Sequence, residues 1–522
     1  MSTLLLPRHR PASTGRTVLM ALALVLAAPV PPVLAQAVEA TGTPVFTVIV
    51  TRHGVRAIST ADDPDGPPPH TYAWPKWKVG PNNLTRHGYK LMTLMGKFYR
   101  EQQASKRLPV DCPKATVFVY ADTAQRTLGT ARALIEGLCD PEGPGALTVY
   151  HADEQAKNPK HPEDKAPKDP IFDATAWVDI DSAKSKAAVL KAAGGPSFPV
   201  VTQHADDFEV FQELLDTRCN GGGCERIMTA PDPSWLPPPD PLAEVKGPLV
   251  PGQSYSENIF LEYAQCRKLE KMAPGLDEKQ FYADLQAGMR LHVLSYDVNA
   301  RNEYNPRVRG GTLFAHIVAM LYQKAGLASK PHVTTPDELK GKTLVILSGH
   351  DTQLGALGGI LSADWNPEGG IVLNDMPPGS ALVFDLLKPV TPGSGADAGY
   401  TVLLSFASMT ASMTMPQFRS EEAIPGGSSS VPSGSLACRI RDASPPNAPC
   451  LSRRWRTARS ISKKSGSSTL PGLQIRPERK MTRARRPGSA IRVGLTAAAV
   501  NDEVGAIDAR YRSSGGVGGI FV

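Results

Sequence analysis

Three short tracts of this 522-residue sequence carry side chains suited to one reaction. Arg52-His53-Gly54-Val55-Arg56 sets two guanidiniums around an imidazole, Asp122-Thr123-Ala124-Gln125-Arg126 adds a third, and Ser348-Gly349-His350-Asp351 pairs a second imidazole with a carboxyl group. Three guanidiniums can hold the non-bridging oxygens of a phosphoryl group by charge-assisted, forked hydrogen bonds, which lysine makes less directionally. Surrounding positive charge depresses an imidazole pKa, so His53 stays neutral in mild acid and can attack phosphorus. The leaving alkoxide then needs a proton, and Asp351 is the natural donor and later the base for water. His350 shares the phosphoryl charge. None of these steps calls for a metal or another cofactor.

Each tract follows a run that predicts a strand. Residues 45–50 (VFTVIV), 115–121 (ATVFVYA) and 343–347 (TLVIL) are short, apolar and β-branched, as buried parallel strands are. Ligands bind outside the carboxyl ends of such strands, so the polar residues that follow them should meet in one pocket. Residues 381–387 and 400–406 read as two more strands of the same kind. Helical patterns over 88–102, 127–138 and 258–271 lie between, and the class is α/β with a mainly parallel sheet flanked by helices. The tetrapeptide Thr51-Arg52-His53-Gly54 recurs as Thr85-Arg86-His87-Gly88. The second copy follows no strand and opens a helix, so Thr85 reads as its N-cap and His87 stays outside the site.

Five segments follow from composition. Residues 1–35 read as a signal peptide: Arg8, Arg10 and Arg16 precede an apolar run over 18–28, and Val33-Leu34-Ala35 offers small residues for cleavage. The run is too short for a membrane anchor, which needs roughly 18 apolar residues. Residues 36–150 and 331–415 form the two parts of an α/β core. Residues 151–330, rich in Pro, Lys and Asp and then mostly helical, form an inserted cap that supplies specificity. Residues 416–522 turn to Ser, Pro, Gly and Arg, a composition that buries little core and predicts disorder.

The formal charge of +7 belongs to that tail. Between Arg419 and Val493 stand 16 Lys+Arg against 4 Asp+Glu, which leaves the rest of the chain at −5. The charge therefore does not mark a nucleic-acid-binding core, and the expected partner is a phosphorylated small molecule, with neither nucleic acid nor stable membrane association. Seven cysteines fit an oxidising compartment, periplasmic or secreted. Cys219 and Cys224 can close a small ring, Cys112 and Cys139 can bracket the elements between them, and Cys266 is the candidate for the odd one. No Cys-x-x-Cys or close His pair accompanies them to suggest zinc.

The tracts resemble the histidine acid phosphatases, and within them the bacterial periplasmic branch that holds phytases and glucose-1-phosphatase. The family pattern Arg-His-Gly-x-Arg-x-Pro is met at Arg52, His53, Gly54 and Arg56, and its His-Asp signature at His350-Asp351. Trp74-Pro75-Lys76-Trp77, Leu84-Thr85, Ala121-Asp122 through Gln125-Arg126-Thr127, and Gly349-His350-Asp351-Thr352 suggest the branch. Over about residues 44–410 the resemblance implies a phosphoglycerate-mutase-like α/β core with an α-helical cap, a phosphohistidine intermediate and no metal. It assigns the nucleophile to His53, the proton donor to Asp351, and phosphate binding to Arg52, Arg56, Arg126 and His350. Ser59 matches a pocket hydroxyl, and Glu257 resembles a cap-helix acid that contacts leaving groups in phytases. Cys112, Cys139, Cys219 and Cys224 resemble disulfide-bonded cysteines of that branch.

Two departures stand out: Ile58 replaces the family's proline, and family-like sequence stops near residue 415, as a shift of reading frame would produce. Cys438 and Cys450 would then be accidental. Three rival readings remain: a phosphate-passing mutase, a catalytically impaired phosphate-ester binding protein, and nucleic-acid binding through the tail. Phytate, sugar phosphates and generic monoesters all fit one Arg cradle, with a leaning towards broad acid phosphatase activity.

Overall fold

The computed structural model describes residues 42–60, 72–112, 114, 116–140, 143, 147–152, 168–219, 242–326, 339–365, 372–389 and 400–408, and the backbone of 457–458, 461–463 and 491–493. The chain divides into Met1–Ala37 and Val38–Val522, and every described residue lies in the second unit. The expected signal peptide, Cys224, Cys438, Cys450 and nearly all of the basic tail fall outside the described residues.

Alternation along the strands builds the centre. In β1 (Thr43–Arg52), Phe46, Val48 and Val50 face one apolar cluster and Ile49 the other. β2 (Val117–Ala121) sends Phe118 and Tyr120 to the first cluster and Val117 and Val119 to the second, and β4 (Leu344–Gly349) divides Val345 and Leu347 from Leu344 and Ile346 in the same way. A sheet whose two faces are both apolar must be covered by helices on both sides. Helices α1 (Arg86–Ser105) and α2 (Gln125–Leu138) pack together on one face. Helices α9 (Asn305–Ala325) and α10 (Asp351–Leu361) cover the other.

With β3 (Val149–Tyr150), the strands β1, β4, β2 and β3 are mutually parallel. Two strands expected to be parallel are not: β6 (Ala381–Lys388) pairs antiparallel with β1, and β7 (Thr401–Ala407) antiparallel with β6. β6 and β7 are adjacent in the sheet and joined by only 12 residues, so they form a hairpin. Composition could not reveal this, because antiparallel strands buried on both faces are as uniformly apolar as parallel ones.

Between β3 and β4, α3 (Ser182–Ala192), α4 (Pro199–Thr202), α5 (Ala205–Asp216), α6 (Leu249–Ala264), α7 (Leu269–Met272) and α8 (Glu278–Asn299) gather around a separate apolar cluster of Phe208, Phe211, Leu249, Tyr255, Phe281 and Leu285. The helix expected over 258–271 begins instead at Leu249 and ends at Ala264, because Cys266 takes a left-handed backbone (φ 59°) that breaks the helix. From the tail, β8 (Thr457–Ala458) and β10 (Ile491–Val493) pair with β7, and β9 (Ile461–Lys463) with β5 (Ala363–Trp365).

A disulfide joins Cys112 to Cys139, tying the approach to β2 to the end of α2. Cys219 is also disulfide-bonded, and Cys266 keeps its thiol. Among the described residues no helix is long and apolar enough to cross a membrane.

Candidate active site

The site forms where β1, β2 and β4 end side by side. Arg52 is the last residue of β1 and pairs in register with Gly349 at the end of β4. The peptide N–H of His53 donates to the Gly349 carbonyl at 2.9 Å, and that of Asp122 to Ser348 at 2.9 Å, so three chain segments leave the sheet locked together. α2 begins at Gln125 and α10 at Asp351, and both place helix N-termini, which favour anions, beside the strand ends.

The loop after β1 depends on glycine for close approach. A Cβ on Gly54 would sit 2.7 Å from Met92 Cγ, and one on Gly88 only 2.1 Å from the Val55 carbonyl oxygen. The repeated tetrapeptide thus has a structural origin: the second Gly lets α1 press against the first copy. Thr85 is the N-cap, its hydroxyl accepting from the Gly88 N–H at 2.8 Å, and its own N–H donates to Val55 at 3.0 Å. His87 lies against Cys266, with Nε2 3.9 Å from the sulfur.

His53 is buried, and its ring meets that of His350 edge-on, with centroids 5.4 Å apart. His53 Nδ1 lies 2.9 Å from the carbonyl oxygen of Gly54. A carbonyl only accepts, so Nδ1 carries the hydrogen and Nε2 of the neutral ring carries the lone pair. Burial first, then the charges of Arg126 and Arg52, push the His53 pKa well below its ordinary value. The imidazole therefore stays neutral in acid.

Arg52 is fully buried among acceptors: its guanidinium donates to the Met376 carbonyl and to Glu257 Oε1, and Nη2 lies 2.8 Å from Asp351 Oδ2. Burial pulls its pKa down, but Asp351 and Glu257 outweigh that and leave it raised. Arg56 donates to Ser59 Oγ at 3.2 Å and to the Ala57 carbonyl at 2.9 Å, and its Nη2 lies 3.8 Å from Glu257 Oε1. The Ser59 hydroxyl donates in turn to Asn82 Oδ1 at 2.8 Å. Arg126 stands in the first turn of α2, where burial and then the neighbouring charge of Arg56 lower its pKa to about 10. Three cations packed this closely disfavour one another unless an anion joins them. The Nε atoms of Arg52 and Arg126 are buried without a protein partner, donors available to such an anion.

The structure thus brings together Arg52, His53, Arg56, Ser59, Arg126, Glu257, His350 and Asp351. Glu257 comes from α6 and holds two guanidiniums of the cradle.

Sequence reasoning missed four side chains here. Asp122, quoted only as part of a tract, is buried and accepts a hydrogen bond from His350 Nε2, while its other oxygen accepts from Thr123 N–H at 2.7 Å. Burial would raise its pKa, yet His350 reverses the effect and holds it low. From α6, Asn258 accepts from the Ser59 N–H at 3.2 Å. From α8, His292 lies with Nε2 3.6 Å from Glu257 Oε2, and Tyr296 hydrogen-bonds Asp351. Their i, i+4 spacing puts both on one face of α8, and that His–Tyr pairing was the available signal.

Ligand atoms of Glu257, His292 and Asp351 lie within 4.8 Å of one another, close enough to hold a metal ion. The Arg52 guanidinium, however, already bonds both carboxylates. A cation would have to displace a buried arginine from both, so the donor set suits an arginine better than a metal.

Comparison with known proteins agrees with this geometry. The family described as "Histidine phosphatase superfamily (branch 2)" matches residues 45–219. The chain is 26% identical to the phytase AppA of Escherichia coli over 365 residues, covering 66% of this chain and 77% of the phytase. It is 26% identical to the glucose-1-phosphatase of Salmonella typhimurium over 328 residues, covering 60% and 69%. Among solved structures, the Hafnia alvei phytase in complex with tartrate superposes with a TM-score of 0.58 at 25% identity, covering 72% of this chain and 88% of that one.

Proposed function

Since the chain belongs to branch 2 of the histidine phosphatase superfamily and is a histidine acid phosphatase, we propose that it is exported and hydrolyses phosphate monoesters through a phosphohistidine at His53. The observation that carries this reading is the hydrogen bond from His53 Nδ1 to the Gly54 carbonyl, which leaves Nε2 as the nucleophilic nitrogen amid three guanidiniums.

In this mechanism Arg52, Arg56, Arg126 and His350 bind the phosphoryl oxygens, and their charge, preorganised in a buried site, stabilises the transition state. The Nε2 lone pair forms the N–P bond as the P–O bond to the leaving group breaks, and the Asp351 carboxyl group protonates the departing alkoxide. Asp351, now a carboxylate, takes a proton from water as that water attacks phosphorus and breaks the N–P bond. Phosphate leaves and His53 returns to its starting state. Asp122 accepts from His350 Nε2 and fixes the orientation of that ring beside the phosphoryl group.

Generic monoesters, phytate and sugar phosphates are the candidate substrates, and broad activity is the favoured reading. The names of the two relatives, a phytase and a glucose-1-phosphatase, support this range. Export rests on the basic and apolar pattern of residues 1–35, and N-terminal sequencing of the mature protein should begin at Gln36.

The mechanism is tested by phosphate release from p-nitrophenyl phosphate, phytate and glucose 1-phosphate in mild acid with EDTA, for the wild type and His53→Ala. Turnover should survive EDTA and vanish in the variant, with the three rates ranking the substrates. Turnover by His53→Ala, or its loss with EDTA, would overturn the mechanism.

A further inference from the structure

Tyr296 has no role in the reaction described so far, yet its position is tightly specified. Asp351 opens α10, and Gly355 lies one turn further along the same helix face. The Tyr296 ring fills the notch at Gly355: a Cβ there would come within 2.9 Å of Tyr296 Cδ1. The ring also meets His292, with centroids 5.2 Å apart, and is buried. So confined, its hydroxyl hydrogen-bonds the Asp351 carboxylate. Arg52 Nη2 reaches Asp351 Oδ2 at 2.8 Å, and the Thr352 N–H donates to Oδ1 at 2.9 Å. The carboxyl group is thus held from β1, from its own helix and from α8.

We propose that Tyr296 is a positioning residue for the reaction: packed on Gly355, its hydroxyl fixes the Asp351 carboxyl group for protonation of the leaving oxygen. This rests on the reading of Asp351 as proton donor. Arg52 serves the phosphoryl group as well, so its grip on Asp351 changes as substrate arrives. Tyr296 is a neutral donor that the phosphoryl group does not compete for. In the acid form, one Asp351 oxygen accepts from Tyr296 while the other presents its hydrogen to the leaving oxygen.

The hydroxyl also bears on pH. The ionisable groups around Asp351 are Arg52 and Arg56 beside β1, Arg126 on α2, Glu257 on α6, His292 and Tyr296 on α8, and His350 at the start of α10. Burial raises the Asp351 pKa, but Arg52, then His292 and the Tyr296 hydrogen bond, bring it below the usual carboxylate range. Without the hydroxyl the ionised form loses a donor, and the acid form persists to higher pH.

Tyr296→Phe keeps the ring in its notch and removes only the hydroxyl. The experiment compares kcat against pH for p-nitrophenyl phosphate, whose leaving group departs without a proton, and glycerol 2-phosphate, whose alkoxide needs one. Asp351→Asn is run alongside, with circular dichroism to confirm folding. Tyr296→Phe should lose roughly tenfold more on the glycerol ester than on the nitrophenyl ester, and the alkaline limb for the glycerol ester should rise by about one pH unit. Equal losses on both esters with an unmoved limb would overturn the proposal. If Asp351→Asn separates the esters and Tyr296→Phe does not, Tyr296 alone is misassigned. If Asp351→Asn fails to separate them, the proton-donor reading falls, and this proposal with it.

Discussion

Glu257 is the most informative residue to perturb, because it is the acid that lets two arginines share a buried site. Its Oε1 bonds Arg52 and lies 3.8 Å from Arg56, while Asp351 is the other carboxylate on Arg52. Arg52, Arg56, Glu257 and Asp351 together carry no net formal charge. Glu257→Ala leaves this group at +1, with Arg52 dependent on Asp351 and the Met376 carbonyl. Removing one partner of a buried ion pair costs about 3–5 kcal/mol, and the surviving acceptors place this case at about 3. Phosphate restores the missing negative charge, so adding it should stabilise the variant more than the wild type. Glu257→Gln keeps the volume and removes the charge that repels phosphate, and should bind phosphate at least ~10-fold tighter, about 1.4 kcal/mol. Urea unfolding with and without inorganic phosphate measures the first effect, and calorimetric titration the second. A Glu257→Ala variant within ~1 kcal/mol of wild type, or one that phosphate stabilises less than wild type, would refute the view that Glu257 balances the cradle.

Two further perturbations test the scaffold around the site. Asp169 is fully buried, accepts from the Tyr120 hydroxyl at 2.8 Å and from the N–H groups of Ile171 and Phe172, and has its pKa raised to about 7 by burial and then by the charge of Asp122. A raised folded-state pKa means the folded chain holds a proton that the unfolded chain releases, so stability falls as pH rises from about 4 to about 7. Asp169→Asn keeps the acceptor and should remove that loss, an effect of a few kcal/mol visible as a flatter plot of urea midpoint against pH; an unchanged slope would refute the assignment. The Cys112–Cys139 disulfide closes a loop of sequence separation 27, worth about 3.5 kcal/mol by chain entropy. The double Cys→Ala variant should lose that much in urea, and a loss under ~1 kcal/mol would show that the reduced chain is already ordered there.

The parts of the site legible in the sequence share one property: each follows an apolar β run. Arg52, His53, Arg56, His350 and Asp351 stand out because charged residues directly after buried strands have few structural uses, whereas a ligand site at the strand ends requires them. Asp122 sits in the same kind of place, but its partner is 228 residues away and is fixed only when β2 and β4 pair. Glu257 could be named through the family pattern, but its contact with Arg52 depends on how α6 meets the end of β1. His292 and Tyr296 were hidden by burial itself: a helix buried on most sides has no polar face for them to interrupt. The antiparallel placement of β6 escaped for a related reason: a strand buried on both faces is apolar whichever way it runs, so its composition does not report its direction.

The proton that the reaction needs sets the most demanding condition on this site. Before substrate arrives, Arg52 and His292 hold Asp351 ionised despite its burial, so on the proposed mechanism the resting site lacks its proton donor. Two features of the site can reverse this on binding. A phosphoryl group with negative charge draws on Arg52, which weakens the main attraction that keeps Asp351 ionised, and it repels the carboxylate directly. Both effects raise the Asp351 pKa at the moment the donor is needed. The proton itself can arrive with a phosphate monoester, which is a monoanion in acid because its second pKa is about 6. Below that value His53 remains neutral, because burial and the arginines hold its pKa well down. On the proposed mechanism Arg52 therefore meets two requirements at once: with Arg126 and Arg56 it keeps His53 unprotonated in acid, and it releases Asp351 as proton donor when phosphate takes its charge. On this argument acid activity follows from the competition between substrate and carboxylates for Arg52, and not from any single group tuned to an acidic pKa.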